Sequence, residues 1–367
     1  MSLPRDVLAE LREMTLRGPR ALLAIAAALA VAVAIVLALA LRLQDVYWAG
    51  ISAFVCMQAS QPASLQKGLH RTLGTVLGAA AALICFSPIA FDHVATMLLL
   101  FCAGALAIAG SLVSRHSYAW LLGGITAVMV VLGALDEPDR ALNIAFYRSA
   151  EIVLGTSVAL VISRSFLPAG TTTVPTAPGW GSLFEPGSPV LNHAFKAGLA
   201  VALVPPVWRI FALPNLSQMA ISIGAVMAVP VLTASHEENR RAVIDRSVQR
   251  LVGCLAGGSI GLLVLTVTWS ASLPLWLLVL MMGAAVGIQL ETGRRDVKTF
   301  AIQAEVALIL TLVQGWGPAR SLLPAIERVF GMVGALLLLL AVSLILGSPR
   351  RSEPRTSLTA GQIADGS

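Results

Sequence analysis

Charge is scarce in this chain. Lys, Arg, Asp and Glu supply 12% of its 367 residues, about half the 25% of a soluble domain, which excludes a water-soluble globular fold. Cysteine is equally sparse. Cys56, Cys85, Cys102 and Cys254 all fall in apolar stretches without metal-ligand spacing and read as small packing residues. The five histidines, His70, His93, His116, His193 and His236, are scattered at loop ends, so no metal site is expected. No G-x-x-x-x-G-K-[ST] occurs, which excludes an ATP site of the P-loop type. No nucleophile–base or metal cluster appears, so neither an enzyme nor a cofactor is expected. The net charge of +6 does not point to nucleic acid, because the basic residues cluster in short loops.

What remains is apolar. Hydrophobic residues make up 57% of the chain, and mean hydropathy is +0.84. Ala21–Leu41 is 21 residues without a charge, enough to cross a hydrocarbon core of about 30 Å. Its flanks are wrong for a cleaved signal, and more spans follow at once. The apolar blocks predict six spans at 21–42, 46–60, 71–91, 94–114, 118–135 and 144–166. Six more follow at 191–212, 217–234, 249–268, 272–290, 299–315 and 326–347, the seventh interrupted by Pro205-Pro206. Residues 1–20 read as an amphipathic helix on the cytoplasmic membrane surface, with Val7, Leu11 and Met14 on one face. Residues 167–189 are a Pro/Gly/Thr-rich linker between transmembrane units 21–166 and 190–347, and 348–367 is a disordered cytoplasmic tail. With both termini inside, 19 of the 25 Lys and Arg face the cytoplasm and six, including Arg148 and Arg328, face outward, the bias of an inner-membrane protein.

The two blocks echo each other. Arg71 precedes Gly74 and Gly78, and 179 positions later Arg250 precedes Gly253 and Gly257; Arg148 and Arg328 are 180 apart. Two matched pairs at one offset predict an all-α polytopic fold of about twelve transmembrane helices. They would form two tandem six-helix repeats about a pseudo-twofold axis along the membrane normal. The glycines predict close helix packing. The arginines, placed by these spans at the inner and outer mouths, predict an anion path, since guanidinium keeps its charge and grips carboxylate with a planar fork. Arg71 and Arg250 are expected to face each other across the axis or to line symmetric branches of one path.

The stretch YWAGISAFVCMQASQPASLQKGLHRTLGTVLGAAAAL, residues 47–83, resembles the signature of the fusaric acid resistance protein-like family of aromatic acid exporters. The matching residues are Tyr47-Trp48, Gln58, Lys67, Arg71, Gly74-Thr75 and Gly78. In the second copy Arg250, Gly253 and Gly257 remain, but Cys254 replaces Thr75 and no Tyr-Trp pair precedes. Plant aluminium-activated malate transporters look like distant relatives with a single six-helix unit. The resemblance implies export of aromatic carboxylates, with Tyr47, Trp48, Gln58 and Lys67 joining the arginines along the substrate path. Typical exporters of this family are longer and carry a large cytoplasmic region, so recruitment of a periplasmic adaptor protein stays open, as does oligomeric state.

Two carboxylates fall inside spans. Glu151 has Arg148 one turn away as a partner. Glu305 has none in its own helix, and its counterpart at the same offset, Ile125, is apolar. Intramembrane acids mark ion pathways, so Glu305 and, less directly, Glu151 are candidates for proton coupling. Tyr118, Trp120, Trp208, Trp276 and Trp316 lie at span ends as interface anchors. The leading expectation is an inner-membrane secondary transporter that exports organic anions, with the lipid bilayer and a small organic anion as its partners. An uncoupled anion channel and a non-transporting membrane scaffold are its rivals.

Overall fold

A computed structural model describes residues 3–135, 137–170, 177–186, 188–211, 216–228, 236–268, 273–315, 317–318, 321 and 323–346. The expected tail at 348–367, the linker centre at 171–176 and the end of the eighth expected span lie outside the described residues.

Helix follows the apolar blocks. The first half holds α1 (Leu3–Arg12), α2 (Pro19–Ala40), α3 (Tyr47–Cys56), α4 (Gln61–Phe86), α5 (His93–Val113), α6 (Ser117–Gly133) and α7 (Ala141–Phe166). The second holds α8 (Pro189–Ala202), α9 (Val204–Phe211), α10 (Leu216–Met227), α11 (His236–Thr268), α12 (Leu273–Glu291), α13 (Lys298–Leu312) and α14 (Leu323–Ile345). Among the described residues, eight helical stretches are long and apolar enough to cross a membrane; α3, α6 and α10 are shorter apolar helices. The protein is an all-α polytopic membrane protein.

Local chemistry sets the boundaries. Gly18, at φ 86°, turns the chain into α2, and Pro19 occupies the first turn, where its missing N–H costs nothing. The Asp92 side chain caps α5 by accepting from the Val94 and Ala95 amides at 2.9 and 3.0 Å. The seventh apolar block breaks at Leu203, between α8 and α9. Pro205 and Pro206 thereby fall in the first turn of α9, where proline is tolerated.

The helices pack in matching sets. In the first half α4 lies on α6 and α7, α5 on α6, and α3 on α2 and α7; in the second, α11 lies on α13 and α14, α12 on α13, and α10 on α8 and α14. The halves interlock through α2 on α12, α5 on α8, α3 on α13 and α6 on α10. Glycine permits the closest approaches. A Cβ on Gly74 or Gly78 would overlap the Ala119 and Gly123 carbonyls of α6; one on Gly253 or Gly257 would overlap the Phe300 and Ala304 carbonyls of α13. All four glycines therefore sit at backbone contacts between helices.

Helix α1 departs from expectation. Leu3, Val7 and Leu11 pack against Leu290, Val297 and Phe300, so the apolar face expected to lie on lipid is covered by protein. The polar contact beside it explains the docking. Fully buried Glu10 accepts through Oε1 from the Arg294 and Arg295 amides, both at 2.9 Å. Its Oε2 lies 3.6 Å from Arg20. Burial alone would raise the Glu10 pKa, but the amides of Arg295 and Arg294 and the Arg295 guanidinium outweigh it and hold the carboxyl below its ordinary value. The linker docks comparably at the other half, where the Gly179 amide donates to the Val113 carbonyl at 3.1 Å and Trp180 packs edge-on against Trp120.

Candidate functional site

The sequence reading started the third span at residue 71, where polar residues end. The structure continues α4 back to Gln61, taking Gln66, Lys67 and His70 into the helix. Arg71 is thus the eleventh residue of α4, about 15 Å from its start at 1.5 Å per residue. Helix α11 likewise begins at His236, fourteen residues before Arg250. Arg71 and Arg250 therefore lie well inside their helices and not at the helix starts. Arg71, Arg148 and Arg328 are buried, at 4, 5 and 5% exposure, and Arg250 is partly buried.

Arg71 and Arg148, assigned from sequence to opposite mouths, meet along one short helix. Arg71 donates from Nε to Ser52 Oγ of α3 at 3.1 Å and from Nη1 to the Tyr118 hydroxyl of α6 at 2.8 Å. One turn along α3 is Trp48, and the Arg148 guanidinium of α7 lies over its ring at 3.2 Å from the centroid. A desolvated cation–π contact of this kind contributes about 2 kcal/mol. Arg71 and Arg148 are close enough to repel each other. The Nε and Nη1 of Arg148 are buried and without hydrogen-bond partners.

Glu151 does not complete an ion pair with Arg148. Its Oε1 accepts instead from the Asp45 amide at 2.7 Å and ties down the turn between α2 and α3, although its charge and that of Asp45 are felt at Arg148.

The second half repeats the arrangement with different chemistry. Arg328 of α14 donates from Nη1 to Gln218 Oε1 of α10 at 3.1 Å, as Arg148 of α7 meets Trp48 of α3. Arg250 and Arg328 repel each other, and the Nε of each is buried without a hydrogen-bond partner. Tyr47 links the halves, lying within electrostatic reach of both Arg148 and Arg328. Arg71 and Arg250 each lie within electrostatic reach of the second arginine of their own half.

Toward the end of the bundle that carries α1, Lys67 lies 5.8 Å from the centroid of the Tyr118 ring and within electrostatic reach of Glu291 and Lys298. The remaining expected residues fall elsewhere. Gln58 turns its amide onto the Val55 and Met57 carbonyls at 3.2 and 2.6 Å, satisfying the end of α3. Glu305 is buried at 3% exposure with Oε1 unpartnered, wedged against Gly283 and Gly287 of α12 and apart from the arginines.

Several groups were missed from sequence. Tyr118, read as an interface anchor, is a partner of Arg71. Trp276, read the same way, is 2% exposed and donates to the Leu312 carbonyl at 2.9 Å. Ser52 and Gln218 carried one available signal: Trp48 and Ser52 stand 170 positions before Gln218 and Ser222. His70 and His116, read as scattered, bring ring nitrogens to 3.0 Å. Among the described residues no group of three or more His, Cys, Asp or Glu could hold a metal.

The arrangement is a row of buried cations with spare N–H donors beside an indole face. The model of the fusaric acid resistance protein family matches residues 20–176. Among curated proteins the chain is similar to the p-hydroxybenzoic acid efflux pump subunit AaeB of Edwardsiella ictaluri, Escherichia coli and Salmonella arizonae. Each is 35% identical over 106 residues, 28% of this chain and 16% of the relative. The match thus spans about a sixth of the length of those relatives. No solved structure matches the chain.

Proposed function

We propose that the chain, whose residues 20–176 match the model of the fusaric acid resistance protein family, is a bacterial inner-membrane secondary transporter exporting aromatic carboxylates. The observation that carries this reading is Arg148, buried over Trp48 with two N–H groups unpartnered. Leaving a charge buried and unpaired costs several kcal/mol. A carboxylate between Arg148 and Arg71 would supply the missing acceptors, and its ring would lie beside Trp48 and Tyr47. The relatives are named for p-hydroxybenzoic acid, an anion of this shape.

The path runs through a bundle of two six-helix repeats with both termini cytoplasmic. Supporting this are the matched packing pairs, the glycine contacts of α4 on α6 and α11 on α13, and the paired arginines. Tyr47 joins the two arginine pairs into one row. The relatives are named as subunits of a pump, and a periplasmic adaptor is the partner this implies.

The test is flux of p-hydroxybenzoate in proteoliposomes. Saturable transport is expected, with Arg148→Gln lowering kcat/KM while the protein stays monodisperse. Removing one member of a buried charged contact costs about 2–5 kcal/mol, hence a loss of roughly 30-fold or more. Absence of saturable flux by the wild type would overturn the reading. An uncoupled channel is the second reading. Voltage alone drives a monovalent anion outward with about 2.3 kcal/mol per 100 mV, and the isolated, buried Glu305 is the feature that favours coupling over it.

A further inference from the structure

Glu291 ends α12, and nothing in the aromatic-acid site assigns it a role. Its side chain is 4% exposed, and its Oε1 lies 3.1 Å from Lys298 Nζ. Its Oε2 is buried with no hydrogen-bond partner. Lys67, from the other half of the molecule, lies within electrostatic reach of Glu291, as does Tyr118. Tyr118 accepts from Arg71. The acid therefore sits where the arginine row opens toward the end that carries α1. It is a carboxylate held by cations at the entrance of a path for carboxylates.

Its surroundings on other elements are also charged, but they are committed elsewhere. Arg295 bonds Glu10 and Glu13 at 3.1 and 2.9 Å, and Arg20 donates to the Gln289 carbonyl. Lys298 is left as the cation paired with Glu291, with Lys67 within electrostatic reach of it. The arrangement occurs once. At the offset that relates the halves, Ser111 stands where Glu291 does, and Ser111 bonds its own helix at Ile108. A pure packing role for an ion pair would not require a second carboxylate oxygen to be buried without a partner.

We infer that Glu291 is a tethered competitor, a carboxylate of the protein that occupies the entrance lysines Lys67 and Lys298 and must be displaced by the carboxylate of the exported acid. This rests on the transport reading given above. The competitor sets the apparent affinity on the entry side and keeps the lysines neutralised between substrates.

Two variants with opposite expected signs test it, in p-hydroxybenzoate flux from the face that carries α1. Glu291→Gln removes the competitor and lowers KM by about threefold, the change expected of one partly exposed ion pair. Lys298→Gln leaves Glu291 on Lys67 and withdraws one cation from the substrate, so KM rises by a similar factor. Loss of packing alone would lower kcat or yield in both and would not move KM in opposite directions. A wild type that transports, with Glu291→Gln unchanged or raised in KM, overturns the inference and leaves the transport reading standing. If Glu291→Gln fails to fold, Lys298→Gln decides, and an unchanged or lowered KM overturns it. A wild type that carries no acid overturns both.

Discussion

Glu305 shows how one side chain separates two mechanisms. It is buried in α13 against α12 glycines and Phe54, with one oxygen unpartnered and no arginine at hand. A carboxylate in that position is costly as an ion, so the group gains from carrying a proton for part of a cycle. If it does, Glu305→Gln retains voltage-driven flux of p-hydroxybenzoate and loses the dependence on an imposed pH gradient, measured in proteoliposomes at fixed membrane potential. Unchanged pH dependence, or none in the wild type, would make Glu305 structural and favour the channel. The residue was legible in sequence because a lone acid in AIQAEVALILTL has no soluble explanation. The same holds for the four arginines. Their partners were less legible. A serine, a tyrosine and a glutamine in apolar helices carry no charge signal, and only the packing of α4 on α3 and α6, and of α7 on α3, brings Ser52, Tyr118 and Trp48 to the arginines of the first half.

Among the described residues each of the twelve apolar blocks contains helix, and eight helical stretches are long and apolar enough to cross a membrane, because hydropathy and short polar breaks dominate in a membrane chain. The starts of α4 and α11 were missed by ten or more residues, because the first turns of both helices are polar. Residues 61–70 are rich in polar groups yet helical; Ser64 is buried, Gln61 donates to the Arg164 and Leu167 carbonyls, and His70 meets His116. Where glycine joins α4 to α6 and α11 to α13, Gly78→Leu and Gly257→Leu should each drive a side chain into an opposing carbonyl. Overpacking of this type costs about 1–3 kcal/mol or more, visible as a lowered thermal-shift midpoint in mild detergent, whereas Gly258, which has open space around a Cβ, should tolerate alanine. The docking of α1 carries its own pH dependence. A depressed Glu10 pKa means that the carboxylate stabilises docking above the ordinary value of 4.5. That contribution is lost as pH falls below it and through the depressed folded value. The hydrogen-exchange protection factors of residues 3–12, taken against the intrinsic rate at each pH, should therefore be high at neutrality and fall on acidification below 4.5, and Glu10→Gln should show low protection at both pH values.

For the whole molecule, the decisive contacts run between the halves. The first helix of each half rests on the fourth of the other, α2 on α12 and α8 on α5. Residues 1–170 and 171–367 produced as two chains in the same cell should therefore co-purify as a complex. The first half produced alone should fail to give a monodisperse monomer, as judged by size exclusion with light scattering. Recovery of a stable monomeric half would contradict this packing. A covalent connection changes how such an interface responds to dilution. Two separate halves would find each other at a rate set by how much of each the membrane holds, whereas a short flexible tether holds the partner at an effective concentration of about a millimolar. Assembly then becomes a first-order event, indifferent to expression level. Each interface also joins two sequences that are free to differ, so Glu291 and Glu305 can be present singly per molecule, a one-to-one stoichiometry that a pair of identical halves could not have.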